Sequence, residues 1–480
     1  MSLKKQAKSG IKWSTVSQIG RQVMQFATTA ILGRLLSPDD FGLLGMATIV
    51  IGFVGLFKDL GTSAAVIQKK HLSESLVHSI FWINVGFGLL GTIIIFVISP
   101  LVAKFYEEPR IAPVLMVLSC AFFISSISIL QNAILQKKLA FNKLANIEIF
   151  AVFNGSAIGI VSAFLGFGVW SLVYQSLTVT TVTTVLLWIT TAWKPKLVFS
   201  WNEVRQVGRY SLNLTGFNIF NYFARNADYI LIGKFLGSES LGYYTLAYRL
   251  MLYPLQNISG VLGKVMFPAF AQVQNDNARF SRAYLKVVAT IAVVTFPLMI
   301  CLWAISEPFI LTLFGAQWQP VIVLLMILAP IGMTQSIVTT VGTIYTSKGR
   351  TDWMLRWGVG SGTFVTLAII IGLQWGIVGV ATAYATASFL LTYPNFAIPF
   401  RLIDLRVNDL IAVLWRPFLA SLLMLGVLMS LKILILPTSL ASAWVLGILV
   451  PTGLITYLLA SWFINREQMQ ELLATLGVKR

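Results

Sequence analysis

Gln18-Ile-Gly-Arg-Gln-Val-Met-Gln-Phe-Ala-Thr-Thr-Ala-Ile-Leu-Gly-Arg-Leu-Leu-Ser-Pro-Asp-Asp-Phe-Gly42 decides how this chain is read. Four polar residues, Gln18, Arg21, Gln25 and Thr28, stand at spacings of three, four and three in an apolar run, which is one face of a helix. At about 1.5 Å per residue such a stripe covers roughly 15 Å, about half a bilayer core. The pattern returns with the same spacings at Asn218, Asn221, Arg225 and Asp228. The phrase that follows it, Ile31-Leu-Gly-Arg-Leu-Leu-Ser-Pro-Asp-Asp-Phe-Gly42, is echoed by Leu231-Ile-Gly-Lys-Phe-Leu-Gly-Ser-Glu-Ser-Leu-Gly242. Charge inside lipid is costly, so a membrane helix that keeps such a stripe turns it to a cavity or a partner. Two matching stripes in two matching halves point to one polar cavity between two lobes, the layout of a transporter.

Working outward, the composition fits. The chain has 480 residues, 57% hydrophobic and 11% charged, with mean hydropathy +0.81. This is an all-α polytopic membrane protein and not a soluble domain. The net charge of +18 would point to nucleic acid in a soluble chain. Here the basic residues sit in short loops between apolar spans, and no nucleic-acid partner is expected. Cys120 and Cys301 both lie in apolar runs and read as small core residues, with neither a disulfide framework nor a metal site. Lys4, Lys5, Lys8 and Lys12 ahead of an apolar run mimic a signal peptide. That run carries Arg21, extends past Leu35 and lacks a small-residue cleavage site, so it reads as a retained first span.

Apolar stretches of spanning length fall near residues 12–36, 41–66, 78–103, 112–135, 146–166, 169–192, 209–235, 241–267, 284–305, 318–346, 353–373, 376–400, 409–432 and 439–463, about fourteen in all. Glycine turns at Gly166-Phe-Gly168 and Gly372-Leu-Gln-Trp-Gly376 separate closely coupled pairs. One set of alternate loops is basic: Lys69 and Lys70; Lys137, Lys138 and Lys143; Lys194, Lys196, Arg205 and Arg209; Arg279 and Arg282; Lys348 and Arg350; Arg401 and Arg406. Both termini belong with it. The other set is poor in Lys and Arg: Ser37–Asp40, Tyr106–Glu108, Gly237–Glu239 and Ser306–Pro308. The positive-inside rule puts the first set and both termini in the cytoplasm.

The two stripe helices are the first and the seventh spans, six places apart, so both run in the same direction. The halves are parallel repeats of six helices, followed by two extra helices. The expected organisation is an N-lobe at 1–193, a cytoplasmic interfacial linker at 194–208, a C-lobe at 209–400, and two further spans with a tail at 401–480. The linker piece Trp201-Asn-Glu-Val-Arg-Gln-Val207 reads as an interfacial amphipathic helix. Pro254, Pro297, Pro330 and Pro394 fall within spans of the second half, while the first six spans have almost no interior proline.

Intramembrane charge concentrates in the first two helices of each repeat. Arg21 lies in the first, Lys58 and Asp59 in the second, Arg225 and Asp228 in the seventh, and Arg249 with Tyr253 and Gln256 on its face in the eighth. With Gln18, Gln25, Asn218 and Asn221 they would line a cavity of arginine, amide and hydroxyl groups. Arginine suits phosphate because its planar fork donates paired hydrogen bonds and stays charged. The bland alternative is that Arg225 pairs with Asp228, and that Lys58 or Lys264 snorkels to the surface. We read Arg21, Arg225 and Arg249 as cavity residues and leave both readings open for Lys58, Asp59 and Lys264. Glu148 and Arg356, near span ends, read as structural, and His71 and His78 as solvated surface. No catalytic set and no cofactor motif is present; Gly260-Val-Leu-Gly-Lys264 is too short for a phosphate loop and lies in a span.

Three phrases resemble a known family. Ile31 to Leu43, Phe57-Lys-Asp-Leu-Gly-Thr-Ser-Ala-Ala-Val-Ile-Gln-Lys-Lys70 and Leu135-Gln-Lys-Lys-Leu-Ala-Phe-Asn-Lys-Leu-Ala-Asn-Ile-Glu148 resemble the Wzx-type polysaccharide exporters, in particular the colanic-acid and teichuronic-acid branch of the multidrug/oligosaccharidyl-lipid/polysaccharide exporter superfamily. The resemblance implies two six-helix lobes in a V, alternating access, and flipping of an undecaprenyl-diphosphate-linked oligosaccharide. Membrane lipids and a polysaccharide polymerase machinery are the other expected partners. The rivals are a cation-coupled multidrug antiporter on the same scaffold and a membrane-embedded polysaccharide polymerase or ligase. The first would want a buried carboxylate in an apolar cavity; the second would want a long external loop. The twin phrases at Ser37–Phe41 and Ser238–Leu241 are expected to meet when the cavity opens to the cytoplasm.

Overall fold

The computed structural model describes residues 3–57, 66, 73–201, 212–435 and 441–475, with side chains described except at 3–17, 19, 212–219, 254, 256–269, 271–272 and 471–475. Among these residues all regular structure is helical. The helices are α1 (Leu3–Leu35), α2 (Pro38–Gly55), α3 (Glu74–Tyr106), α4 (Ile111–Ser126), α5 (Ile129–Lys137), α6 (Phe141–Phe164), α7 (Val169–Thr190), α8 (Leu212–Gln272), α9 (Asn277–Ala304), α10 (Ser306–Leu313), α11 (Pro320–Val338), α12 (Val341–Ser347), α13 (Thr351–Gly372), α14 (Gly376–Phe400), α15 (Val407–Ile435), α16 (Ser442–Ile464) and α17 (Arg466–Thr475).

Among the described residues each of the fourteen apolar stretches is mainly helix. Among the described residues nine helical segments are long and apolar enough to cross a membrane, ten if the bent pair α4–α5 is one span. One of the nine, Thr351–Phe400, holds both α13 and α14. The stretches outside that set lie in α1 and α8, the helices that carry the polar stripes.

Local sequence explains the breaks. Ser37 caps α2 in a capping box with Asp40, and Pro38 fills the first turn, where a missing N–H costs nothing. The matching break inside α8 is made differently, at Gly237, whose φ of 83° and ψ of 178° are a conformation open only to glycine. The α4–α5 bend of 41° frees two carbonyls inside the bundle. The hydroxyl of Thr184 and the indole N–H of Trp188, both on α7, donate to Ile124 O (3.1 Å) and Ile127 O (3.2 Å) and satisfy them. Prolines 297, 330 and 394 lie inside α9, α11 and α14, whereas the first half carries Pro100 in α3.

The chain divides into two compact units, Met1–Gly242 and Tyr243–Arg480. This division by contact falls inside α8, and not in the 194–208 segment expected from the sequence as the linker. The reason is that the first limb of α8 lies along α2: the Tyr222 hydroxyl donates to Ile49 O at 2.6 Å, and the Phe53 and Phe223 rings are 5.1 Å apart. In the first unit Leu76, Ile80 and Phe81 of α3 also pack with Leu130 and Ala133 of α5. In the second, α15 and α16 dock on α9 through Ala420, Met424, Leu428 and Leu449, and the Tyr457 hydroxyl donates to Val293 O at 2.6 Å. A further core gathers Phe280, Tyr284, Ile344, Phe396 and Phe400.

Some readings change. His78 is 3% exposed and not solvated, because the segment after α7 folds back over the start of α3. Its ring stacks on Trp193 at 5.1 Å, and its Nδ1 accepts the Lys196 backbone N–H at 3.0 Å. Cys120 is exposed on α4, not a core residue. Ser306–Pro308 begins the short helix α10 and is not an open loop. His71, Lys58, Asp59 and the linker piece beyond Trp201 lie outside the described residues.

Candidate functional site

Repeat alignment at an offset of 200 pairs Arg21 with Asn221, Gln25 with Arg225 and Thr28 with Asp228. Their surroundings match position by position. Arg21 and Asn221 are half-buried, Gln25 and Arg225 exposed, Thr28 and Asp228 buried. The helical period sets this order; what differs is which chemistry stands at each place.

In the first copy the half-buried position holds the cation. Arg21 Nη1 lies 3.0 Å from Glu148 Oε2 on α6, with the side chains 34% and 42% exposed. Two turns on, Thr28 Oγ1 hydrogen-bonds Ser156 Oγ at 2.8 Å, a second tie between α1 and α6. The carboxylate partner was missed by the sequence reading, which took Glu148 as structural. A lone acid in an otherwise uncharged span is the signal that would have found it. Gln18 is half-buried beside this pair.

In the second copy the exposed position holds the cation. Among the described residues no ion pair joins Arg225 to Asp228 or to any other acid. Asp228 is 4% exposed and accepts the Tyr229 N–H at 2.9 Å. Asn221 is half-buried; the side chain of Asn218 is not described. In the second unit Arg249 is exposed and Tyr253 half-buried, while the Gln256 side chain is not described. On the same helix Tyr248 reaches Tyr384 of α14, hydroxyl to hydroxyl at 3.2 Å, and Gln335 of α11 donates to Tyr384.

The twin phrases meet, and they meet reciprocally. A Cβ at Gly42 would strike the main-chain carbonyl of Ser238, and a Cβ at Gly242 would strike that of Pro38. Pro38 and Ser238 are equivalent in the repeat, as are the two glycines, so each copy presents the same surface to the other. The hydroxyl of Ser238 donates to Asp39. Arg110 forks over two acids, donating to Asp39 Oδ2 at 2.7 Å and to Glu108 at 2.8 Å through both Nε and Nη2. Lys234 meets Glu107 at 2.6 Å. These partners hold the carboxyls of Glu107 and Glu108 below the usual range: Lys234 acts on the first and Arg110 on the second. Inward along the same α2–α8 contact, the Tyr222 hydroxyl fills the space a Cβ on Gly52 would need. Phe53, Phe57, Tyr222 and Phe223 close ring on ring there. From Gly42 to Phe53 the contact runs about 16 Å at the rise of a helix.

Comparison with known proteins places the geometry. The chain is 28% identical over 426 residues to the lipopolysaccharide biosynthesis protein WzxC of Escherichia coli (strain K12), covering 88% of this chain and 87% of that one. It is 29% identical over 427 residues to the teichuronic acid biosynthesis protein TuaB of Bacillus subtilis (strain 168), covering 88% of each. Among solved structures it is similar to the lipid II flippase MurJ in an inward closed conformation, with a TM-score of 0.74 over 95% of this chain and 99% of that one. At 16% identity that likeness is one of fold, and the fold is multi-pass and all-helical. The family model described as polysaccharide biosynthesis protein matches residues 31–323, more than half of the sequence, and the chain belongs to that family.

Proposed function

We propose that this protein is a flippase that carries oligosaccharide repeat units, linked to undecaprenyl diphosphate, from the inner to the outer leaflet of the cytoplasmic membrane for export of cell-surface polysaccharide. The observation that carries this reading is Arg225, an exposed cation on α8, in the stretch that the sequence marks as the seventh span, with no acid beside it among the described residues. An arginine at that depth calls for an anion, and a diphosphate brings paired acceptor oxygens to its fork. Arg21, Arg225 and Arg249 hold the diphosphate. Gln18, Gln25, Asn218, Asn221, Asp228, Tyr253 and Gln256 serve the polar head group and sugars, and Lys58 and Asp59 stand at the cavity or its gate. The lipid tail stays in the bilayer.

Transport proceeds by alternating access between an N-lobe at 1–193 and a C-lobe at 209–400. The 194–208 segment links them and the helices at 401–480 follow. Both termini lie in the cytoplasm. The Gly42–Gly242 contact is then the outer seal, closed in the state that loads substrate from the cytoplasm. Polysaccharide polymerase machinery takes the product on the outer side. No step of covalent chemistry is assigned to the chain.

The test is a deletion strain carrying Arg225→Ala at normal membrane abundance. The expected result is loss of surface polysaccharide and accumulation of the lipid-linked repeat unit on the cytoplasmic side. Normal export by Arg225→Ala, Arg21→Ala and Arg249→Ala alike would overturn the cationic-site reading.

A further inference from the structure

We propose that Glu148 is a resident counter-ion for Arg21, which the substrate's diphosphate displaces on binding and which reclaims Arg21 on release. The inference rests on the reading of Arg21 as part of the diphosphate site. It assigns a role to an acid on α6, outside the helices that carry the two stripes.

Three observations carry it. The contact is a single one, Arg21 Nη1 to Glu148 Oε2 at 3.0 Å, in a guanidinium with five donors. Both side chains keep a third or more of their surface open, so an anion can approach without prying helices apart. The hydroxyl contact between Thr28 and Ser156 ties α1 to α6 two turns away, so the helices stay joined when the ion pair opens.

The physical need is plain. An arginine left alone in the bilayer is costly, so a site that waits for an anion is more stable with a substitute in place. A carboxylate matches a phosphate edge in geometry but carries less charge and fewer acceptors. The diphosphate therefore wins the exchange, yet by a smaller margin than it would at an unpartnered arginine. Competition for one group is a coupling free energy, and it weakens the substrate's hold as surely as it shields the empty site. Glu148 thus favours release. Arg225, with no such acid among the described residues, supplies the hold.

The experiment uses the full chain in lipid nanodiscs and geranylgeranyl diphosphate as probe, with the monophosphate as comparison. Glu148→Gln should bind the diphosphate about two- to five-fold more tightly than the native protein, the scale of losing one exposed ion-pair competitor. The gain should vanish in Arg21→Ala/Glu148→Gln and be smaller for the monophosphate. A lesion that merely disturbed packing would weaken binding, so the sign is diagnostic. Should Glu148→Gln fail to reach the membrane, Glu148→Asp draws the carboxylate back by one methylene and carries the same expected sign. Binding no tighter than native in these variants, while Arg21→Ala weakens it, would remove the counter-ion and leave the diphosphate site standing. Binding unchanged by Arg21→Ala and by Arg225→Ala would remove the site reading, and this inference with it.

Discussion

Residues 18–42 and 218–242 are two copies of one segment, and burial matches at the paired stripe positions 21 and 221, 25 and 225, and 28 and 228. The half-buried place holds Arg21 in the first copy and Asn221 in the second; the exposed place holds Gln25 and then Arg225. The first cation comes with Glu148, the second with no acid among the described residues. Between the two copies the burial of these places is kept while the charge moves by one turn. The move decides how the cation is neutralised. A half-buried guanidinium meets a neighbouring helix and finds a carboxylate there; an exposed one faces outward and waits for a ligand.

The largest expected effect tests what the two copies share. Gly42→Val and Gly242→Val each drive a branched side chain onto the main chain of the other copy. Backbone cannot swing aside as a side chain can, so each should cost at least about 1–3 kcal/mol in the closed contact and abolish export. Gly237→Ala should damage the second copy only, through its positive φ, since Ser37 holds the equivalent place with ordinary extended backbone. Surface polysaccharide and membrane abundance are the measurements. Full export by Gly42→Val beside a dead Gly242→Val would show that the contact is not reciprocal in function.

Next comes the difference between the arginines. Arg225→Ala should lower export at unchanged abundance, with Arg225→Lys restoring it in part, because lysine lacks the fork. Arg21→Ala removes one partner of a pair and strands Glu148, so it should lower abundance as well as export. Arg21→Ala/Glu148→Ala should then recover abundance without recovering export. Equal abundance for Arg21→Ala and Arg225→Ala would erase the distinction between a partnered and an unpartnered cation.

How much of this could be read from sequence follows from the range of the interactions. The helices, the stripes and the twin phrases depend on residues three to twelve apart, where the periods of apolar and polar residues speak directly. Glu148 against Arg21, Arg110 against Asp39, and Trp193 over His78 join positions 71 to 127 apart in the chain or sit where a loop folds back. No local pattern encodes such meetings. The reciprocity of Gly42 and Gly242 lies between the two cases: the repeat announces equivalent residues, but only packing brings equivalent residues face to face.

A smaller effect belongs to the charged clasp around the seal. Arg110→Gln should loosen the hold on Asp39 and Glu108 by no more than about 1 kcal/mol, since the guanidinium is largely exposed and screened. The carboxyls of Glu107 and Glu108 are lowered by their partners, so the clasp is fully present at neutral pH and is lost only as pH falls through those lowered values. The distance between spin labels on a cysteine pair at Asp40 and Ser240, in a Cys120- and Cys301-free background, should therefore be unchanged down to about pH 5. Its distribution should broaden slightly in Arg110→Gln. A large separation of the labels between neutrality and that pH would assign the closure to another group.

The smallest effect isolates the tie that the two copies do not share. Thr28 and Asp228 are both buried, but Thr28 binds Ser156 across α6, and its Oγ1 also lies 2.8 Å from Met24 O on its own helix. Thr28→Val keeps the shape and removes the hydroxyl. Inter-helical hydrogen bonds in membranes average about 0.6 kcal/mol, so the loss of stability should be of that size and export near normal. Paired with Glu148→Gln the outcome should change. With the ion pair also gone, α1 has lost both polar ties to α6, and the double variant should fall in abundance by more than the sum of the two single changes. That excess is the quantity to measure. If the two losses merely add, the hydroxyl contact does not hold α1 in place while the ion pair is open, and exchange at Arg21 would need another support.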